Sequence, residues 1–167
     1  MRSRPGKHLT REGVQLARDV GANLGGFDLV VTSNLPRAIE TAIAMGYASD
    51  EQLKDLGSVL GADKDGWKDG CAAWSEARTQ SDRVRKAADK HAGILRRVAA
   101  SIPDEGRALV VSHGGVMELG VIGLLPDYDF SSWTQTWGYC EGVRLYFEGD
   151  VCQRADILRL PELTQEP

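Results

Sequence analysis

The most constraining feature of this sequence is a short apolar run that leads into a histidine and two glycines. Ala108–Val111 are followed by residues 112–115 (Ser-His-Gly-Gly) and by a second apolar segment that Pro126 ends. The short run is rich in β-branched residues and predicts a buried strand, and the segment after the glycines predicts a helix. His113 is therefore expected at the carboxyl end of a strand, where open α/β sheets bind ligands and helix N-termini attract anions. The ordinary alternative is a histidine that only caps the turn.

A second junction of the same kind lies earlier in the chain. Residues 27–32 predict a buried strand, and residues 33–34 (Ser-Asn) predict the cap of a helix that tolerates Pro36 in its first turn. Arg37 follows in that turn. Because the carboxyl ends of parallel strands meet at one edge, Arg37 and His113 are expected to converge in one crevice. Cations are disfavoured at a helix N-terminus, so this placement indicates an anion partner. The alternative is a solvated first-turn arginine.

The remaining patterns predict an α/β fold. Helical spacing of apolar residues predicts one helix capped by Thr10 and another that opens at residues 81–82. Residues 46–70 predict a long surface excursion, a candidate lid. Residues 143–147 and 151–158 predict a terminal hairpin. Because strands alternate with helices, we expect a three-layer α-β-α sandwich with a largely parallel sheet and an antiparallel C-terminal edge.

Length and composition exclude several classes of protein. A chain of 167 residues predicts a single domain over residues 1–160, with a C-terminal tail at 161–167. The 20 basic and 24 acidic residues give a net charge of −4, which predicts neither a nucleic-acid partner nor a membrane surface. The three cysteines, spaced without a metal-ligand pattern, predict free thiols, no metal and a reducing compartment. With neither a transmembrane stretch nor a signal sequence, the expected location is the cytoplasm.

Three blocks of the sequence resemble the histidine phosphatase superfamily, the phosphoglycerate-mutase-like proteins. Residues 9–17 (LTREGVQLA) are similar to that family's Leu-Thr-x-x-Gly-x-x-Gln-Ala block. Residues 32–42 (TSNLPRAIETA) are similar to its Ser-x-Leu-x-Arg-Ala-x-x-Thr-Ala block. Residues 111–115 (VSHGG) are similar to its second-histidine block, and the three occur in the family's order. The resemblance implies the family's fold, in agreement with the fold predicted from the residues.

The resemblance also implies phosphoryl transfer through a phosphohistidine, with no metal and no cofactor. In the family, a histidine of an Arg-His-Gly motif attacks phosphorus, and a second histidine and two arginines hold the phosphoryl oxygens. Arg37 resembles the second arginine and His113 the second histidine, so both are expected to be catalytic and phosphate-binding. Gly114 is expected to bind phosphate beside them. The expected partner is inorganic phosphate or a small phosphorylated molecule.

The Arg-His-Gly motif itself does not occur in this chain. If Arg2 takes the place of its arginine, Ser3 stands in the nucleophile's place, and both are expected at the phosphate. Three explanations stay open: a sequence that begins downstream of the true start, a pseudophosphatase with Ser3 in that place, or a nucleophile supplied by His8. Three functions also stay open: a phosphomonoester hydrolase, a module that binds phosphate or a phosphorylated partner without turnover, and an assembly role in which a second copy completes the sheet as a homodimer.

The acid that protonates the leaving oxygen is expected within the surface excursion. The candidates within it are Glu51, Asp55, Asp63 and Asp65. Of these, Asp55 is the predicted catalytic acid, and the alternative for all four is a solvated acidic loop. His91 lies on the apolar stripe of the helix that opens at residues 81–82, so it is predicted to be a packed or interface histidine and not a catalytic one.

Overall fold

The computed structural model describes residues 8–59 and 70–160. The predictions for Arg2, Ser3, Asp63, Asp65 and the tail fall outside these residues. Along the described chain the elements are α1 (Arg11–Gly21), β1 (Leu29–Ser33), α2 (Pro36–Ala44), β2 (Glu51–Leu53), a 3₁₀ helix (Lys54–Gly57), α3 (Gly70–Gln80), α4 (Asp82–Ala99), β3 (Ala108–Val111), α5 (Val116–Leu124), β4 (Gly142–Glu148) and β5 (Val151–Leu158).

The main sheet has three parallel strands in the order β2-β1-β3. The register places Thr32 opposite both Gln52 of β2 and Val111 of β3, so the three strands end at the same edge. Strands β4 and β5 form a separate antiparallel hairpin. Among the described residues, β3 therefore has a paired edge toward β1 and no strand on its other side. The predicted α/β fold, with a parallel sheet and an antiparallel C-terminal pair, is confirmed.

Helices cover both faces of the sheet because successive side chains of β1 point in opposite directions. Val30 packs with Ala38 and Ala42 of α2 on one face. Val31 packs on the other face with Val98 of α4 and Val116 of α5. This alternation produces the three layers and places the first turns of α2 and α5 on opposite sides of the same sheet edge.

Helices α4 and α5 approach each other so closely that their backbones meet. A Cβ atom on Gly123 would overlap the carbonyl of Ala88. Eight of the nine residues of α5 are buried, and Met117 is the exception. Helix α3 packs against both helices and contributes Trp74, which is 1% exposed. The start of α5, and the turn that precedes it, are thus held by a dense apolar layer.

Several boundaries differ from those predicted. The expected excursion contains β2 and the 3₁₀ helix, and α3 was not predicted at all. Strand β2 has only three residues, two of them polar, which is too short for a hydrophobic alternation to show. Helix α3 buries only Gly70, Cys71 and Trp74, so it lacks a continuous apolar stripe. Helix α2 begins after Leu35, which has no capping side chain, instead of after a Ser-Asn cap. No helix within the described ranges is long and apolar enough to cross a bilayer.

Candidate phosphoryl-binding site

A crevice at the carboxyl ends of β1 and β3 brings Arg37 and His113 into direct contact. The Nε–H of Arg37 donates a hydrogen bond to Nδ1 of His113 at 3.2 Å, although the two residues are 76 positions apart. The parallel register explains the meeting, because α2 and α5 both begin just beyond the same edge of the sheet. The convergence predicted from the two junctions is confirmed, whereas the roles of these residues toward a phosphate stay predictions.

Ser33 completes this group, and sequence reasoning missed it. Its Oγ lies 2.7 Å from Nε2 of His113, and the backbone N–H of Leu35 donates to the same oxygen at 3.3 Å. Ser33 is the last residue of β1 and is fully buried. Its position in the sequence predicts a helix cap instead. The signal that could have identified Ser33 as a site residue is its position at the end of a strand that neighbours the strand before His113.

The His113 ring is neutral at pH 7. Burial, and to a smaller extent the adjacent charge of Arg37, together lower its pKa to about 4. A guanidinium only donates hydrogen bonds, so Nδ1 must offer its lone pair to Arg37. The ring proton is therefore on Nε2, which donates to Ser33. This fixes both the tautomer and the orientation of the imidazole.

One nitrogen of Arg37 is left without a partner in the crevice. Nη1 is buried from solvent and makes no hydrogen bond to any described residue. None of the ion pairs among the described residues includes this guanidinium. A buried donor without a partner is costly, and a cationic one more so. The arrangement therefore suits an anion that accepts from Nη1.

The turn between β3 and α5 is shaped by two glycines and a buried glutamate. Gly115 has a φ of 82°, which favours glycine, and its N–H donates to Oε2 of Glu118 at 2.6 Å. Glu118 is 1% exposed, and burial raises its pKa, although the hydrogen bond from Gly115 opposes this. An acid three residues after the N-cap of a helix is a recognisable capping pattern that the sequence predictions did not include. Gly114 lies half-buried between His113 and Gly115.

Comparison with known families decides the identity of this fold. The sequence model of the histidine phosphatase superfamily (branch 1) matches residues 1–156. The chain belongs to the histidine phosphatase superfamily. No curated protein sequence gives a significant match.

Solved structures share the fold at low sequence identity. A mycobacterial glucosyl-3-phosphoglycerate phosphatase in complex with inorganic phosphate aligns with 99% of this chain and 93% of its own, at 16% identity and a TM-score of 0.61. The product of an open reading frame of Mycobacterium tuberculosis covers 94% of this chain and 88% of its own, at 21% identity and a TM-score of 0.60. A phosphoserine phosphatase from Entamoeba histolytica, in complex with 3-phosphoglyceric acid, covers 71% and 68%, at 19% identity and a TM-score of 0.52.

The acid expected of a histidine phosphatase is not identified by its contacts. Asp55 lies on the 3₁₀ helix, whose Leu56 carbonyl accepts a hydrogen bond from Ser112 Oγ at 2.8 Å, so the element adjoins the crevice. The carboxylate of Asp55 pairs with Lys90 at 2.9 Å, and that of Glu51 pairs with Arg97 at 3.0 Å. Among the described residues, neither carboxylate contacts Arg37 or His113. The assignment of Asp55 stays a prediction.

The other two histidines of this family member lie in different surroundings. His8 is mostly exposed and bonds through Nδ1 to the carboxylate of Glu40, which also accepts from the N–H of Leu9 at 2.7 Å. His91 is 1% exposed on α4, in agreement with its prediction as a packed residue. Within residues 8–59 and 70–160, no three His, Cys, Asp or Glu side chains form a group that could hold a metal ion. The three cysteines are free thiols.

Proposed function

We propose that this chain is a phosphatase-type domain that binds the phosphoryl group of a small phosphorylated molecule between Arg37 and His113. The observation that carries the proposal is the buried Nη1 of Arg37, which has no partner among the described residues. A guanidinium offers phosphate a planar, bidentate set of donors. Membership of the histidine phosphatase superfamily supports the same chemistry.

Binding would rearrange the hydrogen bonds of the crevice. Oxygens of the anion accept from Nη1 of Arg37 and compete with the imidazole for its Nε–H. Once Nδ1 of His113 is released, the neighbouring negative charge raises the pKa of the ring and favours its protonation. His113 then donates from Nδ1 to the anion while Nε2 keeps its bond to Ser33. Binding of a dianion near pH 7 is therefore coupled to the uptake of a proton.

A second function, phosphate binding without turnover, is favoured by the positions of the histidines. The chain has 3 histidines. Both ring nitrogens of His113 are engaged, His8 is held by Glu40, and His91 is buried on α4. None of them offers an unengaged nitrogen in the crevice. Hydrolysis through a phosphohistidine requires a further histidine in the crevice, such as the one in the family's Arg-His-Gly motif. Without that histidine, this chain acts as a pseudophosphatase.

A thermal unfolding experiment with phosphate and vanadate tests the binding site. A ligand at about 100 times its dissociation constant adds about 2.7 kcal/mol to the unfolding free energy, which raises the midpoint by roughly 5–10 °C for a chain of this size. Arg37→Ala is expected to abolish this increase. Arg11→Ala is the matched control, because Arg11 is also a first-turn arginine and lies on α1. A ligand effect that survives in Arg37→Ala would show that the anion binds elsewhere.

Turnover is measured separately. With p-nitrophenyl phosphate as the substrate, the binding function predicts no release of phosphate, even where phosphate raises the unfolding midpoint. The hydrolase function predicts release together with a phosphohistidine, which is labile in acid and is trapped by rapid quenching in base. Release of phosphate by this chain would overturn the pseudophosphatase alternative.

A further inference from the structure

We propose that Ser33 is a positioning residue of this site, whose hydroxyl holds His113 in the Nε2–H tautomer with Nδ1 directed at Arg37. The consequence for phosphate binding rests on the function proposed above. The positioning itself is a property of the free protein and is tested without a ligand.

One hydrogen bond fixes the tautomer, and the contact with Ser33 is compatible with it. From one side of the ring, Arg37 donates to Nδ1, so the ring proton is on Nε2. From the other side, Ser33 Oγ accepts from the N–H of Leu35, and its second lone pair is available to the Nε2–H of His113 at 2.7 Å. With the proton on Nε2, the hydroxyl therefore accepts two hydrogen bonds.

The position of Ser33 makes it a rigid support. It is the last residue of β1, the central strand of the sheet, and its exposed fraction is 0%. The preceding residue, Thr32, is in register with Val111, which lies two positions before His113. A hydroxyl fixed on a strand orients an imidazole more tightly than one carried on a loop. His113 itself lies in the turn after β3, and Ser33 links its ring to the central strand.

Removal of the hydroxyl has a specific chemical consequence. In Ser33→Ala the Nε2–H of His113 loses its acceptor in a buried place, so the Nε2–H tautomer loses part of its stabilisation and the population of the Nδ1–H tautomer rises. That proton would face the Nε–H of Arg37, donor against donor, and the pair would separate. With the two groups no longer aligned, phosphate is expected to bind about tenfold more weakly, as for the loss of one well-formed hydrogen bond.

The test is the ¹⁵N spectrum of the imidazole rings in the ligand-free protein at pH 7. In the wild type, His113 should show a protonated Nε2 and an unprotonated Nδ1, and Ser33→Ala should shift both resonances toward a tautomer mixture. Ser33→Thr keeps the hydroxyl and should retain the wild-type pattern. Thr32→Val is the matched control, because it removes a neighbouring buried hydroxyl that bonds to Ser49 at 3.0 Å and does not touch His113.

The outcomes separate this proposal from the proposed function. Unchanged His113 resonances in a folded Ser33→Ala protein would overturn the positioning role, even if phosphate binds. A shift of the resonances in Ser33→Ala, but not in Thr32→Val, supports it. Calorimetric titration with inorganic phosphate gives the affinity, and a wild type that binds no phosphate overturns the proposed function alone. If Ser33→Ala does not fold, Ser33→Cys keeps a weaker acceptor, and an intermediate shift is expected.

Discussion

The buried His91 and the half-buried His113 show the same lowering of the pKa but differ in their partners. Burial lowers the pKa of both His113 and His91 to about 4. His113 has both ring nitrogens engaged, by Ser33 and Arg37. Neither nitrogen of His91 makes a hydrogen bond of normal geometry within the described chain, although the backbone of Ser58 is close enough to favour the charged ring.

The difference shows that a perturbed pKa does not mark a functional site by itself. The charge of Arg37 reinforces the effect of burial at His113, whereas the charge of Asp55 opposes it at His91. At His113 the Arg37 cation, which has no counter-ion among the described residues, lies beside a neutral ring, and this arrangement favours the binding of an anion. At His91 the ring fills space between helices. The hydrogen-bond partners of each ring, and not its pKa, distinguish the candidate functional histidine from the packed one.

The largest effect on stability is expected from acid. The unfolded pKa of 6.5 exceeds the folded value of about 4 for both rings. The unfolded chain therefore binds more protons between these values, so the free energy of unfolding is fully retained above pH 6.5 and falls as the pH decreases toward 4. His91→Leu should remove the share of His91, on the order of 3 kcal/mol. Urea unfolding of the wild type and of His91→Leu at pH 7 and pH 4.5 measures this share. If both proteins lose the same free energy of unfolding between the two pH values, His91 does not contribute to the acid sensitivity.

A smaller loss of stability is expected from a single methyl group between α4 and α5. Gly123→Ala places a Cβ against the Ala88 backbone and should destabilise the protein by about 1–3 kcal/mol. Gly93→Ala, on α4 with open space around it, is the control and should stabilise by roughly 0.5–1 kcal/mol. The ring resonances of His91 should move in Gly123→Ala, while those of His113 stay, because Ser33 and Arg37 hold the latter. Movement of both would show that the two surroundings are coupled.

A change in proton binding should accompany anion binding at His113 only. Sulfate remains a dianion near neutral pH, so its own ionisation does not enter. Calorimetry in two buffers of different ionisation enthalpy should show the uptake of roughly one proton per sulfate at pH 7. His91→Leu should keep this value, and His113→Gln should lose it. A wild-type value near zero would mean that the ring stays neutral beside the anion.

The smallest effect is expected at the exposed histidine. Glu40→Gln removes the carboxylate that bonds to His8 and to the N–H of Leu9. Because the group is at the surface, the unfolding midpoint should change by less than about 2 °C. The phosphate-induced increase should persist. Loss of that increase in Glu40→Gln would instead indicate that His8 belongs to the site, in agreement with the explanation in which His8 supplies the nucleophile.

The sequence predicted the elements with strong local patterns and the meeting of two distant ones. Helix α4 shows apolar periodicity, α5 is apolar except for Glu118, and the parallel strands bring Arg37 to His113. Ser33 was missed because its partner is 80 residues away and its local context equally suits a helix cap. Strand β2 is too short, and the apolar pattern of α3 too weak, for either element to be predicted from periodicity. The choice of Asp55 as the acid has no local signal behind it, because several carboxylates share one polar segment and only their tertiary contacts distinguish them.

Among the described residues β3 pairs with a strand on one side only, which has a consequence for backbone exchange with solvent. In a parallel strand, successive amides point to opposite sides, so only every second amide of Ala108–Val111 bonds to β1. Deuterium uptake along these four residues should therefore alternate between slow and fast. Any segment or second copy that pairs with the other side of the strand would slow the fast amides, which makes this alternation a direct reporter of such pairing.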